Sequence, residues 1–252
     1  MSAVAVLNAE RIKLSTTRSL LWSAVAVAVL SLGLAAVQAS TAYGTGGLPP
    51  EKAAMGVAIF GVPVLMILAS LTVTNEYRSG LIRTTFMAVP NRTLVLVAKA
   101  VVASVFSGIY AAVMVIASVV VARLAAPPLI GAQLPLSDPE VWRLVGAIAL
   151  YAMLAAVLGV GVGALVRASA GAVALLLLWP LVAEPMLGNL PNISSEIGPY
   201  LPFANAFTFI GVQWLYPAYH MPWGELGSMV YFAGVAAAVF VAALVAINRR
   251  DA

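Results

Sequence analysis

The chain has 252 residues, of which 63% are hydrophobic and only 9% charged, and its mean hydropathy is +1.04. A soluble globular domain carries about 25% charged residues, so this composition excludes one and requires a helical integral membrane protein. Cysteine is absent and histidine occurs once, at His220, which excludes disulfides, thiolate metal sites and His-pair metal motifs.

Residues 1–18 carry Glu10, Arg11, Lys13 and Arg18. Glu10 and Lys13 lie one helical turn apart, close enough to pair. The apolar positions form no clean stripe, and the segment reads as an interfacial helix. The first apolar run, 19–41, competes with a secretory signal, because Val37-Gln38-Ala39 resembles a cleavage site. It exceeds the 7–15 residues of a signal core and is read as an uncleaved span.

A loop follows at 42–52, then charge-poor stretches at 53–75, 100–122, 144–166 and 226–248, each long enough to cross ~30 Å as helix. A fifth span, 170–190, is interrupted by Pro180, Glu184 and Pro185. The expected fold is therefore all-α and integral to the membrane, with six transmembrane helices in one domain and no separate soluble domain. Gly159, Gly161 and Gly163 fall inside span four with no strand before them, so they indicate close helix packing rather than a nucleotide loop.

Between spans two and three, 75–99 is the longest polar interruption of the chain, its loop at 76–91 carrying Glu76, Arg78 and Arg83 with breaks at Gly80 and Pro90. Arg92 and Lys99 follow. The bland reading is a short cytoplasmic loop obeying the positive-inside rule. The functional reading is a docking surface for a soluble partner. The thirteen basic residues are scattered at span ends, which fits a topology signal better than nucleic-acid binding. With six spans and both termini cytoplasmic, ten of the thirteen are inside, leaving Lys52, Arg123 and Arg143 outside.

The segment 191–223 has five prolines and eight of the 21 aromatics. It is expected to form short helices in or on the outer leaflet, with its aromatics as an interfacial belt or, alternatively, an outer gate. Glu184, the one acid within a strongly apolar run, is a candidate for the substrate path or a gate. Its alternative is a structural role at a helix end. Asn192-Ile193-Ser194 fits a glycosylation acceptor, and His220 reads as a surface or interface residue.

Three places carry a family resemblance: Asn8-Ala9-Glu10-Arg11-Ile12-Lys13 running to Thr17-Arg18, then Asn75-Glu76-Tyr77-Arg78-Ser79-Gly80 with Val89-Pro90-Asn91-Arg92 and Lys99, and Tyr200-Leu201-Pro202. On these the chain resembles the membrane subunit of ABC-2 type transporters, although Leu81 stands where that family usually has threonine. The resemblance implies an elbow helix bearing Glu10, Lys13 and Arg18. It also implies a coupling helix within the loop, with Glu76, Tyr77, Arg78, Gly80, Arg83, Pro90 and Arg92 serving ATPase coupling. The implied partners are a cytoplasmic ABC ATPase and a second permease subunit, identical or sister, in a bacterial-type plasma membrane. No Gly-x-x-x-x-Gly-Lys-Ser/Thr run is present, so ATP and Mg are expected only in the partner chain, with no cofactor bound directly. The expected function is export of a hydrophobic or amphipathic compound, without enzymatic activity in this chain. The alternatives are an intramembrane enzyme, for which no His or Asp lies in a span to activate a serine, and a channel or anchor subunit.

Overall fold

The computed structural model describes residues 2–42, 47–191, 193–212, 217 and 219–249. Part of the 42–52 loop, Asn192 of the glycosylation motif, the aromatics Trp214 and Tyr216, and Arg250 lie outside the described residues. The described chain is helical, with no strand among the described residues, and six of its helices are long and apolar enough to cross a membrane.

Helix α1, Ala3–Thr16, starts at Ser2, whose hydroxyl accepts from the Ala5 N–H. It ends at Thr17, in extended conformation, whose hydroxyl donates to the Leu14 carbonyl at 2.8 Å. The chain turns there and enters α2, Arg18–Ser40. The buried positions of α1 are Val6, Glu10 and Leu14, one residue per turn along a single face. One of the three is a glutamate, which is why no apolar stripe is visible in the sequence.

Helix α3 runs from Pro50 to Ser79 and is the most buried of the six. It is longer than the expected span 53–75 and contains a π-helical turn at Val57–Gly61, two residues ahead of Pro63. Proline has no N–H, and its ring crowds the carbonyl four residues back. The widened turn, with the Val62 N–H reaching the Val57 carbonyl, accommodates both effects without breaking the helix. Helix α8, Ser169–Gly188, repeats the device: a π turn at Trp179–Ala183 precedes Pro185 by two residues.

Between α3 and the long α5, Arg92–Ala125, lies the eight-residue α4, Leu81–Ala88. A single turn, α6 (Pro128–Gly131), leads to α7, Pro139–Val166. Asp138 caps α7 by accepting from the Glu140 N–H at 2.9 Å. Helix α7 is central, packed on α3, α5 and the last helix, α11 (Gly224–Arg249). Its glycines allow this. A Cβ at Gly159 or Gly163 would run into the carbonyl oxygens of Met66 and Ser70 on α3, and one at Gly161 would press on Phe240 of α11. These three glycines are a close-packing device, as their position inside a span indicates.

After α8 come α9 (Ser194–Ile197), a 3-10 turn at Gly198–Tyr200, and α10 (Pro202–Ile210). The expectation of short helices holds here, but the aromatics are not simply a headgroup belt. Phe203 and Phe207 are buried, edge-on to Tyr151 of α7, and Phe203 also meets Phe232 of α11 at 5.4 Å between ring centroids. Helix α10 packs on α7 and α11, so its aromatic face is covered by protein, while Tyr200 stays exposed. His220 is exposed.

Candidate functional site

The polar residues of α1, α3, α4 and α5 converge at one end of the bundle. Lys99, seven residues into α5, is 3% exposed. Its ammonium donates to Glu10 Oε2 and to Glu76 Oε1, both at 2.7 Å, and to the Thr72 carbonyl at 3.1 Å. Lys13 donates to Glu10 Oε1 at 2.8 Å, to Glu76 Oε1 at 2.9 Å and to Thr85 Oγ1 at 3.5 Å. Thr85 in turn donates to Glu76 Oε2 at 3.4 Å. Two acids and two lysines from three helices form one neutral cluster, and α4 joins it through Thr85. An unpaired charge at such depth would cost several kcal/mol. Reciprocal pairing makes the burial of Glu10 and Glu76, 5% and 8% exposed, tolerable.

Lys13 is partly open to solvent. Burial works to lower its pKa, but the hydrogen bonds and charges of Glu10 and Glu76 outweigh it, and the net shift is upward. It remains an ammonium at any physiological pH.

The loop expected at 76–91 begins later. Glu76, Tyr77 and Arg78 belong to the last turns of α3, which continues through Ser79 because nothing before Gly80 breaks it. Gly80 adopts the left-handed conformation (φ 73°) and its N–H returns to the Tyr77 carbonyl, as glycine commonly does after a helix end. Helix α4 then starts at once. Ile82 is its buried residue, while Leu81, Arg83, Thr84 and Met87 are exposed. Phe86 receives the Arg92 guanidinium at 5.2 Å from its ring centroid. Arg92 also donates to the Ile247 carbonyl at 3.0 Å, and Asn248 of α11 donates to Thr93 at 3.0 Å. Pro90 is exposed and Asn91 caps α5 by accepting from the Leu94 N–H.

Arg167, in left-handed conformation after α7, lies 4.9 Å over the Tyr77 ring. The start of α5 and the ends of α3, α7 and α11 therefore share one end of the bundle with α1 and α4. Arg18, Arg78 and Arg83 are exposed and, among the described residues, enter none of the ion pairs. Lys99 is the member that sequence reasoning placed near the site without assigning it a partner. Its position inside an apolar run was the available sign, since a lysine there requires one.

Glu184 is fully buried near the opposite end. Its Oε2 accepts from the backbone N–H groups of Phe203 and Ala204 at 2.9 and 3.2 Å, and Oε1 accepts from Trp179 Nε1 at 2.8 Å. The carboxylate caps the N-terminus of α10 across 19 residues, where the helix dipole favours a negative charge. Asn205 donates to the carbonyls of Pro199 and Leu201, and accepts from Trp223 Nε1 at 2.8 Å. Tyr219 donates to the Gly188 carbonyl at 2.6 Å. This end is held by buried polar contacts, and the geometry of Glu184 is that of a helix cap.

Comparison with protein-family models and with curated proteins returns no match.

Proposed function

We propose that the chain is the membrane subunit of an ATP-driven transporter of the ABC-2 type, moving a hydrophobic or amphipathic compound outward by alternating access while a separate chain hydrolyses ATP. The observation that carries this reading is α4: a short amphipathic helix at the bundle end, held from behind by a buried charge cluster, with Arg83 and Met87 turned outward. Fixed behind and open in front, it has the form of a docking element. The elbow role for α1 rests on the same cluster, which ties α1 to α3 and α5 through Glu10 and Lys13. In this reading the end bearing α1 and α4 is cytoplasmic, both termini with it, in a bacterial-type plasma membrane. The second permease subunit would complete the substrate path.

The test is co-purification in detergent with a candidate P-loop ATPase, with Arg83→Glu as the disruptive variant. Association with ATP turnover, lost or uncoupled by Arg83→Glu, is the expected result. If no ATPase associates with the wild-type chain, the transporter reading falls.

A further inference from the structure

Beside the charge cluster lies a cavity of about 360 Å³, within the size range of small-molecule sites. It opens between α1, the start of α2, the last turns of α3, α4 and α5. Its inner wall is Leu68, Leu71, Val102 and Ala103, and its outer wall is the cluster. Leu68 is two helical turns, or about 12 Å, from Glu76 along α3. The cavity is therefore graded from apolar at depth to polar at the bundle end, along the direction in which a single amphiphile lies in one leaflet.

The hydrogen-bonding state of the polar wall narrows the headgroup. Each ammonium has three donors. Those of Lys13 go to Glu10, Glu76 and Thr85, and those of Lys99 to Glu10, Glu76 and the Thr72 carbonyl. The hydroxyls facing the cavity are engaged in the same sense. Thr16 donates to Ile12, Thr17 to Leu14, Thr72 to Ala69, Ser79 to Asn75 and Thr84 to Leu81, all onto backbone carbonyls at 2.7–2.8 Å. Of the other polar lining side chains, Asn75 and Ser19 have no such role. What the wall presents is mostly acceptors, hydroxyl oxygens and the remaining carboxylate lone pairs, with the Asn75 amide and the Ser19 hydroxyl as neutral side-chain donors.

We infer that this cavity binds an uncharged amphiphile with a hydroxyl-bearing headgroup and one apolar chain, of the monoacylglycerol class, taken from the leaflet that holds α1. Such a headgroup donates to those acceptors, and its oxygens can accept from Asn75 and Ser19. A phosphate headgroup meets no unengaged cation, because both lining ammonium groups spend their donors inside the neutral cluster, and a cationic one meets no net negative charge. This inference stands on the cavity alone and does not depend on the transport reading.

The test uses the full chain in lauryldimethylamine oxide, a detergent without donors, and native mass spectrometry with 1-monoolein, methyl oleate and oleoyl lysophosphatidate as probes. The expected result is one monoolein retained per chain, roughly tenfold in preference to each of the other two. Retention should be lost in Ala103→Trp, which fills the inner end. Leu71→Trp, at a half-buried position on the same wall, gives the same readout should the first variant fail to fold. Equal retention of all three probes, or unchanged monoolein binding in Leu71→Trp, overturns the assignment.

Discussion

Lys99 and Glu10 are 89 residues apart in the sequence and form a 2.7 Å ion pair with both side chains almost wholly buried. The pair fixes where α1 lies against α5. Removing one member leaves a buried charge without its counterpart, which is far costlier than replacing the pair as a unit. Lys99→Met is expected to destabilise the protein by about 3–5 kcal/mol, measured by thermal unfolding in detergent. The double variant Glu10→Gln/Lys99→Met should cost less than the sum of the two single changes, because without Lys99 one lysine, Lys13, faces two acids and Glu10→Gln removes one of them. Additive losses would show that the two side chains act independently.

Arg83→Glu should leave unfolding within about ±0.5 kcal/mol of wild type, since the side chain is exposed and outside the ion pairs. Thermal unfolding of the isolated chain checks this, and it ensures that lost ATPase association in the same variant reports docking and not misfolding.

The pH dependence of α1 docking follows from Lys13. Its folded-state pKa is raised, so its contribution is fully present below the ordinary value of 10.5 and is lost as the pH climbs through the higher folded value. The hydrogen-exchange protection of residues 3–16, taken relative to the intrinsic amide rate at each pH, should be flat from pH 6 to pH 9 and fall only above about 10.5. A loss of protection near neutrality would exclude Lys13 as the titrating group.

Glu184→Ala should cost about 2–4 kcal/mol, because it strands the buried Phe203 and Ala204 N–H groups and frees the Trp179 indole N–H of its acceptor. Glu184→Gln keeps an acceptor and should lose less than half as much. Trp179 fluorescence, followed during thermal unfolding, reads both. A neutral Glu184→Ala with altered transport would instead assign the acid to the substrate path.

The α3–α7 contact predicts a contrast among glycines of one helix. Gly159→Ala places a methyl against the Met66 carbonyl and should destabilise, whereas Gly146→Ala meets nothing within 4 Å and should be neutral or slightly stabilising. Matched unfolding curves for the two variants test it.

The long apolar runs made the six helices legible, and composition alone selected the helical membrane class. The Glu10–Lys13 pair was readable from its spacing of one turn, and the break at Gly80 from the residue type. The rest depended on partners far along the chain. Nothing local shows that Glu76 meets Lys99, or that Glu184 caps a helix starting at Pro202, since both relations arise only when helices pack. The start of the polar loop was misplaced because charged side chains at Glu76 and Arg78 suggest a loop, while the backbone remains helical as long as a buried partner satisfies the charge. The aromatics of α10 look interfacial one by one, yet Phe203 and Phe207 are drawn inward by Tyr151 and Phe232.

Helix α5 has 34 residues and α3 has 30, about 51 and 45 Å of helix against a hydrocarbon layer of about 30 Å. Both are therefore longer than an upright crossing requires. Helix α4 bridges the end of α3 and the start of α5, attached to one by Gly80 and to the other by only residues 89–91. Linkages that short leave α4 almost no freedom of its own. Helix α4 therefore moves only as α3 and α5 move.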